Sequence, residues 1–125
     1  MESVVCKDSS ELGKLAARNA ARILIESIER KGSTSIILAT GTSQLKILTH
    51  LVRVRGIDWK KVVMFHLDEY IGLLQDHPAS FRNYLTEHFL RHVGQLKDVF
   101  LIHGDAQDPE DECRRIARII NAPLI

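Results

Sequence analysis

From Leu12 onward apolar residues recur at helical spacing: Leu12, Leu15, Ala16, Ala20, Ile23, Leu24 and Ile28. Lys14, Arg18, Arg22, Glu26 and Glu29 fall on the other side. Asp8-Ser9-Ser10-Glu11 offers a capping box and Gly32 a stop, so the pattern predicts a helix over about 10–31. Ser35 to Ala39 is short, apolar and partly β-branched, which predicts a buried strand. Thr40-Gly41-Thr42-Ser43 interrupts it, and a helix is predicted from about Ser43 to Arg55, ended by Gly56. Val62 to Leu67 reads as the next strand, and 70–78 as loop. Ser80 is a plausible N-cap for a helix reaching about His92, with Phe81, Tyr84, Leu85 and Phe89 as its buried face. Val99 to Ile102 predicts a third strand, and Pro109 opens a last helix to about Ile120. Asn121-Ala122-Pro123 ends that helix, and Leu124-Ile125 looks like the first step of another strand.

Helices alternating with strands predict an α/β fold of the Rossmann-like, three-layer α/β/α kind, with a parallel central sheet. No internal repeat, low-complexity tract or linker divides the chain, so 1–125 is expected to be one domain. Because the last apolar step comes at the final residues, the domain is expected to be an N-terminal portion, truncated at its C-terminus. Missing strands would expose a sheet edge and apolar surface, so the isolated chain is expected to self-associate.

Composition narrows the function. A chain of 125 residues can bury a modest core. Its net charge of +1 gives no bulk electrostatic case for nucleic acid or an anionic membrane. No apolar run approaches the roughly 18 to 20 residues of a membrane span, and the first residues lack a secretory pattern. Cys6 and Cys113 fit no metal or redox spacing, and free thiols suit a reducing cytoplasm, the expected location.

Two loops carry candidate chemistry. Thr40-Gly41-Thr42-Ser43 sits between a strand and a helix. Its glycine lets the backbone approach a ligand, the helix N-terminus offers free N–H groups, and three hydroxyls flank them. These make a small phosphate cradle, although many such turns only cap a helix. The loop lacks the Lys-Ser/Thr ending of a P-loop and is not G-x-G-x-x-G. Asp68 and Glu69 leave the next strand, where open α/β sheets place ligands. Beside an anion cradle they suit a phosphorylated substrate that needs a proton moved. The other reading is that Asp68 caps a turn and Glu69 pairs with an arginine on the surface. On the residues alone both readings stay open.

The string FHLDEYIGLLQDHPASFRNYL resembles the glucosamine-6-phosphate deaminase (isomerase) family, in which an Asp-Glu-Tyr, a Gly-Leu, a His-Pro-x-Ser and an aromatic-rich helix follow in this order. ILATGTSQL resembles the family's phosphate-loop strand, and INAPLI resembles the link before its next strand, so the resemblance runs from about Ile36 to Ile125. The related 6-phosphogluconolactonases share the fold but usually carry arginine where Tyr70 stands, which favours the deaminase branch.

The resemblance implies a Rossmann-like fold and conversion of glucosamine 6-phosphate to fructose 6-phosphate and ammonia, with no metal or other cofactor. It implies Asp68 as the general base, moving a proton between C2 and C1 through an enediol-type intermediate. Glu69 stands beside it as a catalytic candidate that orients Asp68, and Tyr70 packs the loop. Thr40, Gly41, Thr42 and Ser43 hold the phosphate. The implied partner is a phosphorylated amino sugar, with a homo-oligomer as a further expectation, and neither nucleic acid nor membrane is implied.

The chain departs from the family in two places. Thr42, Ser43 and Gln44 replace the usual Gly/Ser-Thr-Pro ending of the loop. The six histidines, His50, His66, His77, His88, His92 and His103, match none of the family's ring-opening histidine motif, and the lysine that completes its phosphate clamp is expected to fall beyond this sequence. His66 is expected in the core. His88 and His92, at i,i+4 spacing, are expected on a solvated face rather than on a metal. The competing functions are a non-catalytic sugar-phosphate-binding or interaction module, and a lactonase-like hydrolase on the same fold.

Overall fold

A computed structural model describes residues 1–122. Helix α1, Ser9–Lys31, is capped at both ends as its sequence predicts. Asp8 accepts the Glu11 N–H at 2.8 Å, Glu11 accepts the Lys7 N–H at 2.8 Å, and Gly32, at φ 82°, donates to the Ile28 carbonyl. Strand β1, Thr34–Leu38, leads to helix α2, Thr42–Leu51. After a short 3-10 turn, Trp59–Lys61, strand β2 spans Val62–His66. Helix α3 covers 81–93 as three consecutive segments: α-helical Phe81–Leu85, a π turn over Thr86–Leu90, and α-helical Arg91–Val93. Strand β3 is Asp98–Phe100, and helix α4 is Pro109–Asn121, capped by Asp108. The strand step at Leu124-Ile125 lies outside the described residues.

The three strands form one parallel sheet in the order β1-β2-β3. Leu38 pairs with His66, and Phe65 pairs with Phe100. The α/β class and the parallel central sheet are therefore as expected. Every residue of β2 is buried, as befits a central strand. Val62 and Met64 join Leu38, Leu48, Leu51, Leu85 and Phe89 in the main core, where Trp59 meets Phe89 edge-on at 5.2 Å. On the opposite face of the sheet Phe65 stacks on Phe100 at 5.4 Å. Ile37 and Leu67 there remain 56% and 61% exposed.

Two boundaries differ from the sequence reading by more than one residue. Helix α2 stops at Leu51 rather than near Arg55, because the chain tightens into three-residue turns: Arg53 donates to His50, and Val54 to Leu51. Strand β3 stops at Phe100, because the Ile102 N–H turns to the His66 ring instead of a strand carbonyl.

Helices α1 and α2 approach very closely at Gly13. A Cβ there would meet the Cβ of Lys46 at 2.7 Å and its carbonyl carbon at 2.9 Å. Gly13→Ala gains helix propensity of about 1 kcal/mol but forces the helices apart, and such overpacking costs about 1 to 3 kcal/mol. The expected net result is a lower urea midpoint, where an exposed helical glycine would give a higher one.

Candidate functional site

The register of β1 and β2 builds the site. Leu38 faces His66, and the Leu67 N–H donates to the Leu38 carbonyl at 3.0 Å. Parallel strands about 4.8 Å apart therefore deliver Thr40–Ser43 and Asp68 to the same edge of the sheet. Both lie where ligands of open α/β sheets bind.

Gly41 is the N-cap of α2, with φ 106° and ψ 171°, a backbone conformation that favours glycine. No side chain caps this helix, and no acid lies in its first turn. The Gly41 carbonyl accepts N–H bonds from Gln44 and Leu45, and the Tyr84 hydroxyl donates to it at 2.8 Å. A trans carbonyl and the following N–H lie in one peptide plane and point in opposite directions, so Tyr84 fixes the direction of the Thr42 N–H as well. Thr42 and Ser43 are exposed at the loop's mouth, and Thr40 is half-buried.

Asp68 is exposed at the strand end. Its neighbour Glu69 is the reverse, with a side chain 0% exposed. Oε1 accepts the N–H groups of Tyr70 and Phe81, both at 2.9 Å. Oε2 accepts the Ser80 hydroxyl at 2.7 Å, the Arg82 N–H at 3.0 Å and the Arg82 Nε–H at 3.1 Å. Burial pushes its pKa up, but the bonds from Phe81, Ser80, Arg82 and Tyr70 outweigh that and hold it at about 2. Ser80 is thus the N-cap residue of α3 without capping it; Glu69, eleven residues upstream, takes the N–H groups a capping side chain would take. A carboxylate so fully bonded does not exchange protons near neutrality. Its geometry suits holding the turn that presents Asp68.

Arg82 completes the arrangement. Its side chain is 3% exposed and reaches three segments: Glu69, the Asp105 carboxylate at 3.1 Å and the Leu73 carbonyl at 2.8 Å. Gly104, beside Asp105, leaves no room for a side chain, since a Cβ would lie 2.1 Å from the Tyr70 carbonyl oxygen. The Tyr70 ring packs on Phe81 with centroids 4.8 Å apart.

His66 is buried, and its Nδ1 accepts the Ile102 N–H at 3.2 Å. The proton of the neutral ring is thereby assigned to Nε2. Burial lowers its pKa, against the raising charges of Glu69 and Asp68 and with the lowering charge of Arg82. Two acid limbs follow. Because the folded His66 pKa lies below its usual 6.5, its contribution is complete above 6.5 and is lost as pH falls through the folded value. Glu69 contributes fully above its usual 4.5, and this is lost as pH falls towards 2. The Glu69 limb is worth about 3 kcal/mol. Urea midpoints from pH 7 to pH 3 are expected to show both limbs, and Glu69→Gln to shrink the lower one, leaving the share of Glu112, whose carboxylate Arg115 also holds below its usual pKa.

Sequence reasoning missed Arg82, Asp105 and Tyr84 as parts of the site. Arg82 had a signal, since it shares a helix face with Leu85 and Phe89 and a charge on a buried face needs a partner. Of the two histidines at i,i+4 spacing, both exposed, His88 lies on the Tyr84 ring at 4.6 Å and His92 Nε2 is 2.9 Å from the Glu87 carbonyl. Among the described residues no three His, Cys, Asp or Glu side chains converge as metal ligands, and no helix is long and apolar enough to cross a membrane.

Comparison with known proteins gives a consistent picture. A family model for glucosamine-6-phosphate isomerases/6-phosphogluconolactonase matches residues 7–124. The glucosamine-6-phosphate deaminase of Thermoanaerobacter sp. (strain X514) is 37% identical over 119 residues, 92% of this chain and 46% of that protein. A solved monomeric glucosamine-6-phosphate deaminase superposes with a TM-score of 0.82 at 29% identity, over 97% of this chain and 50% of the other. A 6-phosphogluconolactonase from Shewanella baltica OS155, at TM-score 0.79 and 23% identity over 94% of this chain and 50% of its own, shares the fold. The chain spans about half the length of the curated relatives it matches.

Proposed function

The chain belongs to the glucosamine-6-phosphate isomerase/6-phosphogluconolactonase family, and from that premise we propose that it carries the phosphate loop and the general base of a glucosamine-6-phosphate deaminase. The reaction takes glucosamine 6-phosphate and water to fructose 6-phosphate and ammonia. The observation that carries the reading is the β1–β2 register, which sets Thr40–Ser43 and Asp68 side by side at one sheet edge. Thr42 and Ser43 N–H groups and the loop hydroxyls receive the phosphate, helped by the positive end of α2. Asp68 takes a proton on one side of the enediol-type intermediate and returns it one carbon away. Glu69 and Arg82 hold the turn beneath it and do not touch the substrate.

Titration with glucosamine 6-phosphate, followed by amide NMR, tests the phosphate half. Saturable shifts are expected at Thr40–Ser43. Tyr84→Phe keeps the ring and removes the bond to Gly41, so affinity is expected to fall about 3- to 10-fold, the worth of one hydrogen bond. Binding that leaves these amides unmoved would argue against the loop as phosphate site.

A further inference from the structure

At the far end of α2 from the proposed phosphate loop, a second concavity lies between α1 and α2. It encloses about 170 Å³ and is lined by Lys14, Ala17, Arg18, His50, Arg53 and Val54. No acid lines it, and the nearest acid along α1, Glu11, is occupied by the Lys7 N–H. Among the described residues Lys14, Arg18 and Arg53 have no ion-pair partner, whereas Arg22, one turn on, is paired with Glu26. Gly13 draws the helices together just beside this groove, so Lys14 and Arg18 of α1 share one opening with Arg53 from the turn after α2.

Helix stability does not account for this charge. Lys14 and Arg18, at i,i+4 spacing, repel each other along a helix. They also lie in the first half of α1, where the macrodipole gives cations no reward. Arg53 lies just past the negative end of α2, but it adds to the positive field over Lys14 and Arg18. A compact dianion in the groove would relieve all of this, and two guanidinium groups suit the oxygens of a phosphoryl group.

We propose that this groove is a second anion site that takes the phosphoryl group of a small phosphomonoester, separate from the substrate loop. Ala17 is buried and Val54 half-buried in this lining, and the small volume suits one such group rather than a larger ligand. Three cations around one small opening suit a single phosphoryl group rather than an extended polyanion, which needs a row of phosphate contacts.

The test is an NMR titration of the full chain with inorganic phosphate at constant ionic strength. One saturable set of shifts is expected at the Arg18 and Arg53 Nε–H groups and the His50 amide. The exposed double variant Arg18→Gln, Arg53→Gln is expected to weaken that set at least about tenfold, from two lost charge-assisted bonds, and to leave any Thr42 and Ser43 shifts in place. Thr42→Ala with Ser43→Ala is expected to do the converse, which separates this groove from the substrate reading. Absent or non-saturating shifts at the groove, or a double variant that binds like the parent, would overturn the site. A short DNA duplex that binds the groove more tightly than phosphate would overturn the class of ligand.

Discussion

Arg82→Met is expected to cost about 3 to 5 kcal/mol of folding stability, the range for breaking a buried ion pair from one side. Methionine keeps the volume of the stem, so the loss comes from the charge and its bonds. Glu69 retains four hydrogen bonds but loses its cationic partner, inside a site where its side chain has no access to water. Asp105 and the Leu73 carbonyl lose their partners too, so the loops after β2 and β3 come apart together. Domains of this size are stable by about 5 to 15 kcal/mol, so the variant should be partly unfolded at growth temperatures. Arg82→Lys restores the charge without the three-way fork and should fall between the two. Urea denaturation measures both variants. Combined with Glu69→Gln, the cost should be well short of additive, because the two groups act as one unit. A loss below about 1 kcal/mol for Arg82→Met would put this pair in the class of surface bridges.

The second large effect concerns chemistry. Asp68→Asn is expected to lower turnover of glucosamine 6-phosphate by about 10²- to 10⁴-fold, the usual share of a general base. Asparagine keeps the shape and the hydrogen-bonding capacity of the turn but cannot take a proton. Asp68 is exposed and carries none of the core, so the fold and the affinity for sugar phosphate should hold. Unchanged affinity with lost turnover is the pattern of a group acting only in the transition state. In a binding module the same change would be silent or would improve anion binding, since it removes a negative charge. Ammonia release and a binding isotherm, measured on the same preparations, separate the two.

Much of this was legible in the sequence because local chemistry and tertiary role agreed. Asp8 and Glu11 cap α1 as their spacing demands, and the apolar run at β2 is buried throughout. The Thr-Gly-Thr-Ser turn and the carboxylates fall at strand ends because the strands are parallel. What remained hidden depends on long-range geometry. Nothing near Glu69 reveals that it caps a helix beginning at Phe81, or that its bonds lower its pKa despite burial. The Tyr84 hydroxyl reaches Gly41 across 43 residues, a distance no periodicity encodes. His66 was placed in the core correctly, but its bond to the Ile102 N–H, which ends β3 early, needs the register of the sheet. Composition also hid the groove between α1 and α2, because a net charge of +1 averages a basic patch away.

Solvent deuterium exchange at C1 of fructose 6-phosphate tests directly whether Asp68 is the base. Part of this ketose is already open-chain in water, so the step isolates the carboxylate and the phosphate loop from ring opening. The chain is expected to catalyse exchange at C1, and Asp68→Asn, still binding the sugar phosphate, is expected not to. Exchange that survives in Asp68→Asn, or its absence from a parent chain saturated with fructose 6-phosphate, would contradict Asp68 as the base.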